Sequence, residues 1–243
     1  MTLPPRVDVR PGDARSTTTS PGIRTRHSFS FGVHYDPGNT GHALLAAHNE
    51  DRVAPGIGYP VHPHQDLEIV TWVLAGALRH EDSSGHSGVI EAGTVQRLSA
   101  GSGVEHAEWN DAEARREVRF VQMWVLPDAP GGDPSYAHAS ASAQEATGEL
   151  AVLASGLPGH RSEAAVPIAA AAALHVGRLP AGRAVSLPDA PYLHVFITTG
   201  EVELEGAGRL VAGDAARCTA VGGARMTAHV DAEVLVWEMH RDR

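Results

Sequence analysis

Cysteine is almost missing from this chain of 243 residues. Cys218 stands alone, so no internal disulfide can form and no second thiol is near enough for a redox pair. Its setting, "ARCTAV", is an ordinary β-like stretch and reads as a buried structural thiol. Aromatic residues are scarce at 5%, which together with 26 glycines argues against a helical bundle and for a turn-rich β scaffold. Basic residues are few as well: 19 lysines and arginines face 29 acidic residues, a formal net charge of -10. That balance supplies no broad basic surface for a phosphate backbone, so direct nucleic-acid binding is not expected. Long apolar runs are also lacking. The alanine-rich "EAAVPIAAAAAL" is interrupted by Pro167 and falls short of the roughly 18 residues of a membrane span. The N-terminal "MTLPPRVDVRPGDARSTTTSPG" has none of the apolar core, about 7 to 15 residues, of a secretory signal. The expectation is a protein with no membrane association and a cytoplasmic location.

What the chain does have is a succession of short β-like stretches. "RHSFSFGVHY" alternates in the manner of a strand, and "HALLAAHNEDRVAPG" reads as another ending in a turn. "DLEIVTWVLAGALRHE" breaks at Gly76 like a hairpin. "GVIEAGTVQRLSAGSGVEHAEWN" is punctuated by glycine, and "EVRFVQMWVLP" is a long strand closed by Pro127. Strands of about five or six residues between glycine turns predict a mostly β protein of the sandwich or barrel kind. The length fits one large domain or two small ones, at roughly 100 to 200 residues per domain, and two small β domains fit comfortably. Composition shifts to proline, glycine, serine and alanine after Pro127. This places an N-terminal domain at 1–130, a linker at 131–149 and a C-terminal domain at 150–243.

The second half echoes the first. "VFITTGEVELEGAGRLVAGDAARCTAVGGARMTAHV" keeps the order of strands and glycine turns of "TWVLAGALRH" through "GVEHAEW", with Gly200 matching Gly76 and Gly213 matching Gly93. One β unit is used twice.

The chemistry concentrates in two short blocks. "HPHQDLEIV" sets His62 and His64 two residues apart, and residues two apart on a strand share a face. "GSGVEHAEW" repeats that spacing with His106 and Glu108. Either pair alone is unremarkable in a chain with 15 histidines. Together, each entering a β segment beside glycine or proline, they offer three imidazoles and one carboxylate, a mixed N/O set suited to iron, manganese, nickel, copper or zinc. An octahedral metal so held keeps two positions open. The internal alignment puts Ser186, Pro188, Met226 and Ala228 at the matching places, none of which can replace these ligands.

These blocks carry a family resemblance. "GYPVHPHQDLEIVTWVLAGALRHEDSSG", "GVIEAGTVQRLSAGSGVEHAEWN" and "VQMWVLP" resemble the signature blocks of the pirin family, and "RHSFSFGVHYDP" and "NEDRVAPG" are similar to its quercetinase-like bacterial members. The resemblance is nearly continuous from Arg26 to Pro127, and weaker though collinear beyond Ala151. It implies two tandem cupin (jelly-roll) β-barrel domains. It also implies one divalent transition metal in the first barrel, with Fe(II) the first choice and Zn, Mn, Ni, Co or Cu the alternatives, held by His62, His64, His106 and Glu108. The activity implied is that of a quercetin 2,3-dioxygenase, acting with O2 on a small aromatic, flavonol-like substrate. Glu108 is the candidate catalytic base for it, since a carboxylate that loosens from the metal can accept the 3-hydroxyl proton. The alternative implied is a metal- and redox-responsive regulator acting through a protein partner. Gln65, Trp72 and Ala107 depart from the residues common at those places, which bears on pocket shape and substrate preference.

Several neighbours have a less settled reading. Glu68 shares the parity of His62 and His64 and either hydrogen-bonds a ligand or forms a strand-end salt bridge. His80 and His86 flank "EDSSG" and read as surface or turn residues. Gly101 and Gly103 read as the turn that delivers His106. Phe120, Met123 and Trp124 read as core by default, with pocket lining as the alternative.

Overall fold

Short apolar stretches bounded by glycine become strands, and the strands gather into four sheets. The computed structural model describes residues 4–141 and 147–243. One seven-stranded sheet runs in the order Ser135–Ser140, Thr94–Ser99, Glu68–Ala75, Val118–Val125, Leu45–Val53, Ile23–His27, Ser16–Ser20. A four-stranded sheet, ordered Gly58–His64, Val104–Trp109, Ala77–Asp82, Ser87–Glu91, completes the first barrel. Val53, Val73 and Phe120 of the large sheet pack there on Leu78 and Ile90 of the small one. The second barrel repeats the plan. Its large sheet is ordered Arg6–Arg10, Ala215–Thr219, Tyr192–Thr199, Ala232–Met239, Ala172–Leu179, Leu150–Ser155, Val166–Pro167, and its small sheet Ala184–Ser186, Arg225–Ala228, Glu201–Leu204, Gly208–Val211. The mostly β, tandem cupin architecture is the one the chain adopts.

Two strands lie where polar sequence gave little sign of them. Arg6–Arg10 pairs with Ala215–Thr219, which builds the start of the chain into the second barrel's sheet. Ser135–Ser140, within the stretch expected as a linker, pairs antiparallel with Thr94–Ser99 at the edge of the first barrel. An edge strand needs to pair on one side only, so a strong apolar pattern is not required of it. Residues 142–146 of that stretch lie outside the described residues.

Both faces of each large sheet are covered. On Val118–Val125, Val121, Met123 and Val125 join a buried cluster with Leu235, Trp237 and Met239 of Ala232–Met239. That cluster is the seam between the barrels. At its centre the Trp237 indole N–H points at Met123 Sδ, 3.1 Å away. His48 and His194 also meet in the seam, with ring centroids 4.8 Å apart, and burial holds both well below the usual histidine pKa. Polar ties cross at its margins: Trp72 Nε1 donates to Glu233 Oε1, Arg119 to the Thr198 carbonyl, and Arg217 to the Ser28 carbonyl.

The strand registers make the repeat explicit. His106 pairs with Asp82 and Glu108 with His80 in the first barrel, while Met226 pairs with Leu204 and Ala228 with Val202 in the second. Likewise Gln122 corresponds to Val236, each pairing with its neighbours in the same pattern. The match is offset by one residue on the first strand of the small sheet. His106 lies across from His62, but Met226 lies across from Val185, with Ser186 facing Arg225 instead. The second interior is filled by Val202, Leu204, Ala216, Met226, Ala228 and Val236.

Because one buried cluster joins both barrels, Trp237→Ala should remove about 3 to 5 kcal/mol of stability. Urea unfolding followed by fluorescence and circular dichroism should still show one coincident transition, at lower urea. Two separated transitions in the parent protein would contradict a shared core.

Candidate metal centre

The period of two and the antiparallel register bring the two histidine blocks together. Gly58–His64 lies beside Val104–Trp109 with His106 directly across from His62. Asp66, with φ +54°, turns the chain after His64, a left-handed conformation that aspartate tolerates better than most residues. Gly101 and Gly103, at φ +50° and +140°, make the turn before His106, as the sequence suggests. A side chain at Gly101 would also strike the Gly132 carbonyl, 2.5 Å from the position of its Cβ.

One ring nitrogen from each of His62, His64 and His106 lies within 4.8 Å of the others. The ring centroids are 4.4 Å apart for His62 and His106, 4.9 Å for His62 and His64, and 5.0 Å for His64 and His106. His62 Nδ1 sits 2.8 Å from the Pro60 carbonyl, which can only accept, so this nitrogen carries the proton and Nε2 is left bare. His64 Nε2 and His106 Nε2 are buried and have no hydrogen-bond partner among the described residues. Buried polar atoms are seldom left unpaired, and imidazole nitrogens bare in this way are what a metal requires. The donor set therefore fits a divalent transition metal. Glu108 groups with His106 and His80, within the same 4.8 Å limit.

A network unseen in the sequence fixes these groups. His80, read as a surface or turn residue, is fully buried. Its Nε2 lies 3.3 Å from Asp82 Oδ2, and its Nδ1 lies 3.4 Å from His106 Nδ1. A carboxylate only accepts, so His80 Nε2 carries a proton; with His80 Nδ1 as the acceptor, His106 donates from Nδ1 and turns its Nε2 to the cluster. The Glu108 carboxylate is held from both sides, with Gln96 Nε2 donating to Oε1 at 2.8 Å and Gln122 Nε2 to Oε2 at 2.6 Å. Tyr136 donates to Gln96 Oε1 at 3.0 Å and stacks on His80 at 4.6 Å between ring centroids. Tyr136 comes from the edge strand in the expected linker. The parity of Gln96 and Gln122 could have pointed to the interior, but parity alone does not say which face of a strand is polar.

The other readings resolve simply. Glu68 accepts a hydrogen bond from Ser99 Oγ rather than contacting a ligand. His86 is partly exposed and bonds to Asp82 in the hairpin. Phe120 and Met123 are core, whereas Trp124 lines the cavity.

That cavity, ≈ 500 Å³, has His62, His64 and Glu108 on its wall, with Trp124 and Phe31 among its apolar lining. Phe31 and Trp124 meet edge to face at 5.2 Å. Asp51 also lines it; burial, with the neighbouring Glu108 and Glu50 charges, pushes its carboxyl up to about 6 against hydrogen bonds from Thr25 and Tyr59.

Comparison with known proteins shows the family and the fold. The pirin family model matches residues 9–125, and that of the quercetinase C-terminal cupin domain matches residues 153–239. A Mycobacterium tuberculosis protein named "Putative quercetin 2,3-dioxygenase" is 49% identical over 235 residues, covering 96% of this chain and 95% of its own. A "Pirin-like protein" of Caulobacter vibrioides is 35% identical over 95% of this chain and 98% of its own. The crystal structure of YhhW from Escherichia coli superposes with a TM-score of 0.89 at 25% identity, covering 96% of this chain and 97% of that one. A second crystal structure, bacterial pirin YhhW in complex with nickel(II), gives 0.88 at 25% identity, over 97% and 100%.

Burial, then the neighbouring imidazoles, hold His64 down to about 4 and His106 down to about 3. Both are lowered from 6.5, so the unfolded chain binds the extra protons, and stability is lost as pH falls from 6.5 through these values. In metal-free protein, histidine NMR titrations should find these two rings neutral at pH 5.5. Midpoints near 6.5 for both would contradict the buried, proton-poor cluster.

Proposed function

The chain belongs to the pirin family, and we propose from that premise that it is a metal-dependent dioxygenase of the quercetin 2,3-dioxygenase type. His62, His64, His106 and Glu108 would hold one divalent transition metal, with Fe(II) the first choice. The observation that carries this reading is the pair of buried, unpartnered Nε2 atoms of His64 and His106, opening beside a cavity lined by aromatic rings. The relative described in complex with nickel(II) supports a divalent ion in such a site. When bound, the metal supplies Lewis acidity toward adjacent hydroxyl and carbonyl oxygens and redox activity toward dioxygen.

The remaining work falls to the chain. Trp124 and Phe31 offer apolar surfaces to a planar aromatic substrate, and Val33 extends that lining to the rim. A flavonol entering between them would turn its 3-hydroxyl and 4-carbonyl toward the histidines. A Glu108 carboxylate oxygen then accepts the 3-hydroxyl proton, while Gln96 and Gln122 hold the group in place. Gln122 also receives a hydrogen bond from the Trp124 indole at 3.2 Å, which links substrate packing to the base. In the overall reaction both atoms of O2 enter the product, the heterocycle opens and the C3 carbon leaves as carbon monoxide. Asp51, its carboxyl pushed up to about 6, is a second ionisable group on the cavity wall.

Metal-stripped protein reloaded with Fe(II) should consume oxygen and release carbon monoxide on addition of quercetin, and His62→Ala treated alike should not. Glu108→Gln that still binds metal should lose about a hundredfold or more in turnover. Full turnover by that variant would remove Glu108 as the base. Absence of uptake in the metal-loaded parent would overturn the assignment of this substrate class.

A further inference from the structure

The second barrel carries its own histidine cluster, in a place the internal repeat does not predict. His175 lies on Ala172–Leu179 and Glu238 on Ala232–Met239. His175 pairs with Val236, and Glu238 pairs with Ala173 and Leu193. Glu238 therefore shares the inward face of Val234 and Val236 at the end of the barrel. By register, His175 stands where the first barrel has Asn49, and Glu238 where it has Trp124. Both of those residues line the first cavity. The cluster thus sits at the corresponding end of the second barrel, on the large sheet instead of the small one.

Two further imidazoles converge on the carboxylate. His160, from the turn Pro158–His160, brings Nε2 to 3.3 Å from Glu238 Oε2, and His175 Nε2 is 2.9 Å from the same oxygen. His240, just past the strand end, places Nε2 2.7 Å from Oε1. His175 and Glu238 are 4% and 6% exposed, so these groups are withdrawn from water. No lysine or arginine among the described residues forms an ion pair with Glu238. A buried carboxylate whose side-chain partners are all imidazoles is stabilised by a cation beside it. His160 Nδ1 is also buried without a hydrogen-bond partner among the described residues, with the exposed Glu163 carboxylate 3.6 Å away. One donor atom each from His160, His175 and Glu238 lies within 4.8 Å of the others.

We propose that His160, His175 and Glu238 form a second divalent-metal site, with the N/O donors that zinc takes. Two imidazoles and one carboxylate leave the fourth tetrahedral position to water. The site pins the Pro158–His160 turn to the end of the second barrel, and His240, on the other carboxylate oxygen, orients Glu238 from outside it. The site does not depend on the chemistry of the first barrel.

The test is zinc stoichiometry in chelator-stripped, full-length protein, by elemental analysis after equilibration with zinc alone. The parent should take up two ions per chain and His62→Ala/His64→Ala one. On that background, His160→Ala should weaken zinc binding by on the order of a hundredfold. Adding His175→Gln and Glu238→Gln should abolish it. Should those buried variants fail to fold, cobalt(II) bound to His62→Ala/His64→Ala reports the same site without altering it, through an intense tetrahedral visible absorption. A folded His62→Ala/His64→Ala protein that takes up no zinc overturns the proposal and leaves the first site standing. Uptake unaffected by His160→Ala overturns it too, by placing the ion elsewhere. One ion in the parent and one in His62→Ala/His64→Ala would uphold this site and count against the first.

Discussion

The packing of the two large sheets against each other sets the terms for everything else. Met123 and Trp237 meet at the centre of that seam, and each lies on a strand whose alternate residues point into a barrel. Burying one face of each sheet in a shared apolar layer secures the fold. The opposite faces can then differ in chemistry without loss of the architecture. In the first barrel that freedom is used for a polar interior. In the second, the corresponding positions return to valine, leucine, alanine and methionine.

A polar interior is stable only when its groups are paired, since an unpaired buried donor or acceptor costs about 1 to 3 kcal/mol. The first barrel meets that requirement with two short chains of hydrogen bonds. Asp82 fixes His80, and His80 fixes His106; Tyr136 fixes Gln96, which with Gln122 fixes Glu108. The bare nitrogens of His64 and His106 are the exceptions, and they point to the chemistry. The networks hold the site's geometry, and the exceptions mark where a ligand belongs.

The parts of this arrangement differ in how legible they are from sequence. His-x-His and His-x-Glu announce themselves because a period of two puts both members on one face. The repeat of glycine turns likewise reveals the tandem barrels. His80 and Asp82 sit beside "SSG", and their local sequence is that of a surface hairpin; only the pairing of Ala77–Asp82 with Val104–Trp109 turns them inward. Tyr136 is hidden in a proline- and glycine-rich stretch, and its role depends on an edge pairing with Thr94–Ser99. The cluster around Glu238 joins residues up to 80 positions apart, from His160 to His240, with no shared motif. Long-range contacts of this sort are set by sheet register, which local patterns do not encode.

The account rests on the first barrel's three histidines and Glu108 acting together on one ion. The most direct measurement is a crystal structure of Fe(II)-loaded protein, with anomalous diffraction recorded on either side of the iron edge. An iron peak bonded to His62, His64, His106 and Glu108, with His80 still hydrogen-bonded to His106, is the predicted result. Iron elsewhere, or a site left vacant in protein shown to be loaded, would contradict the central claim.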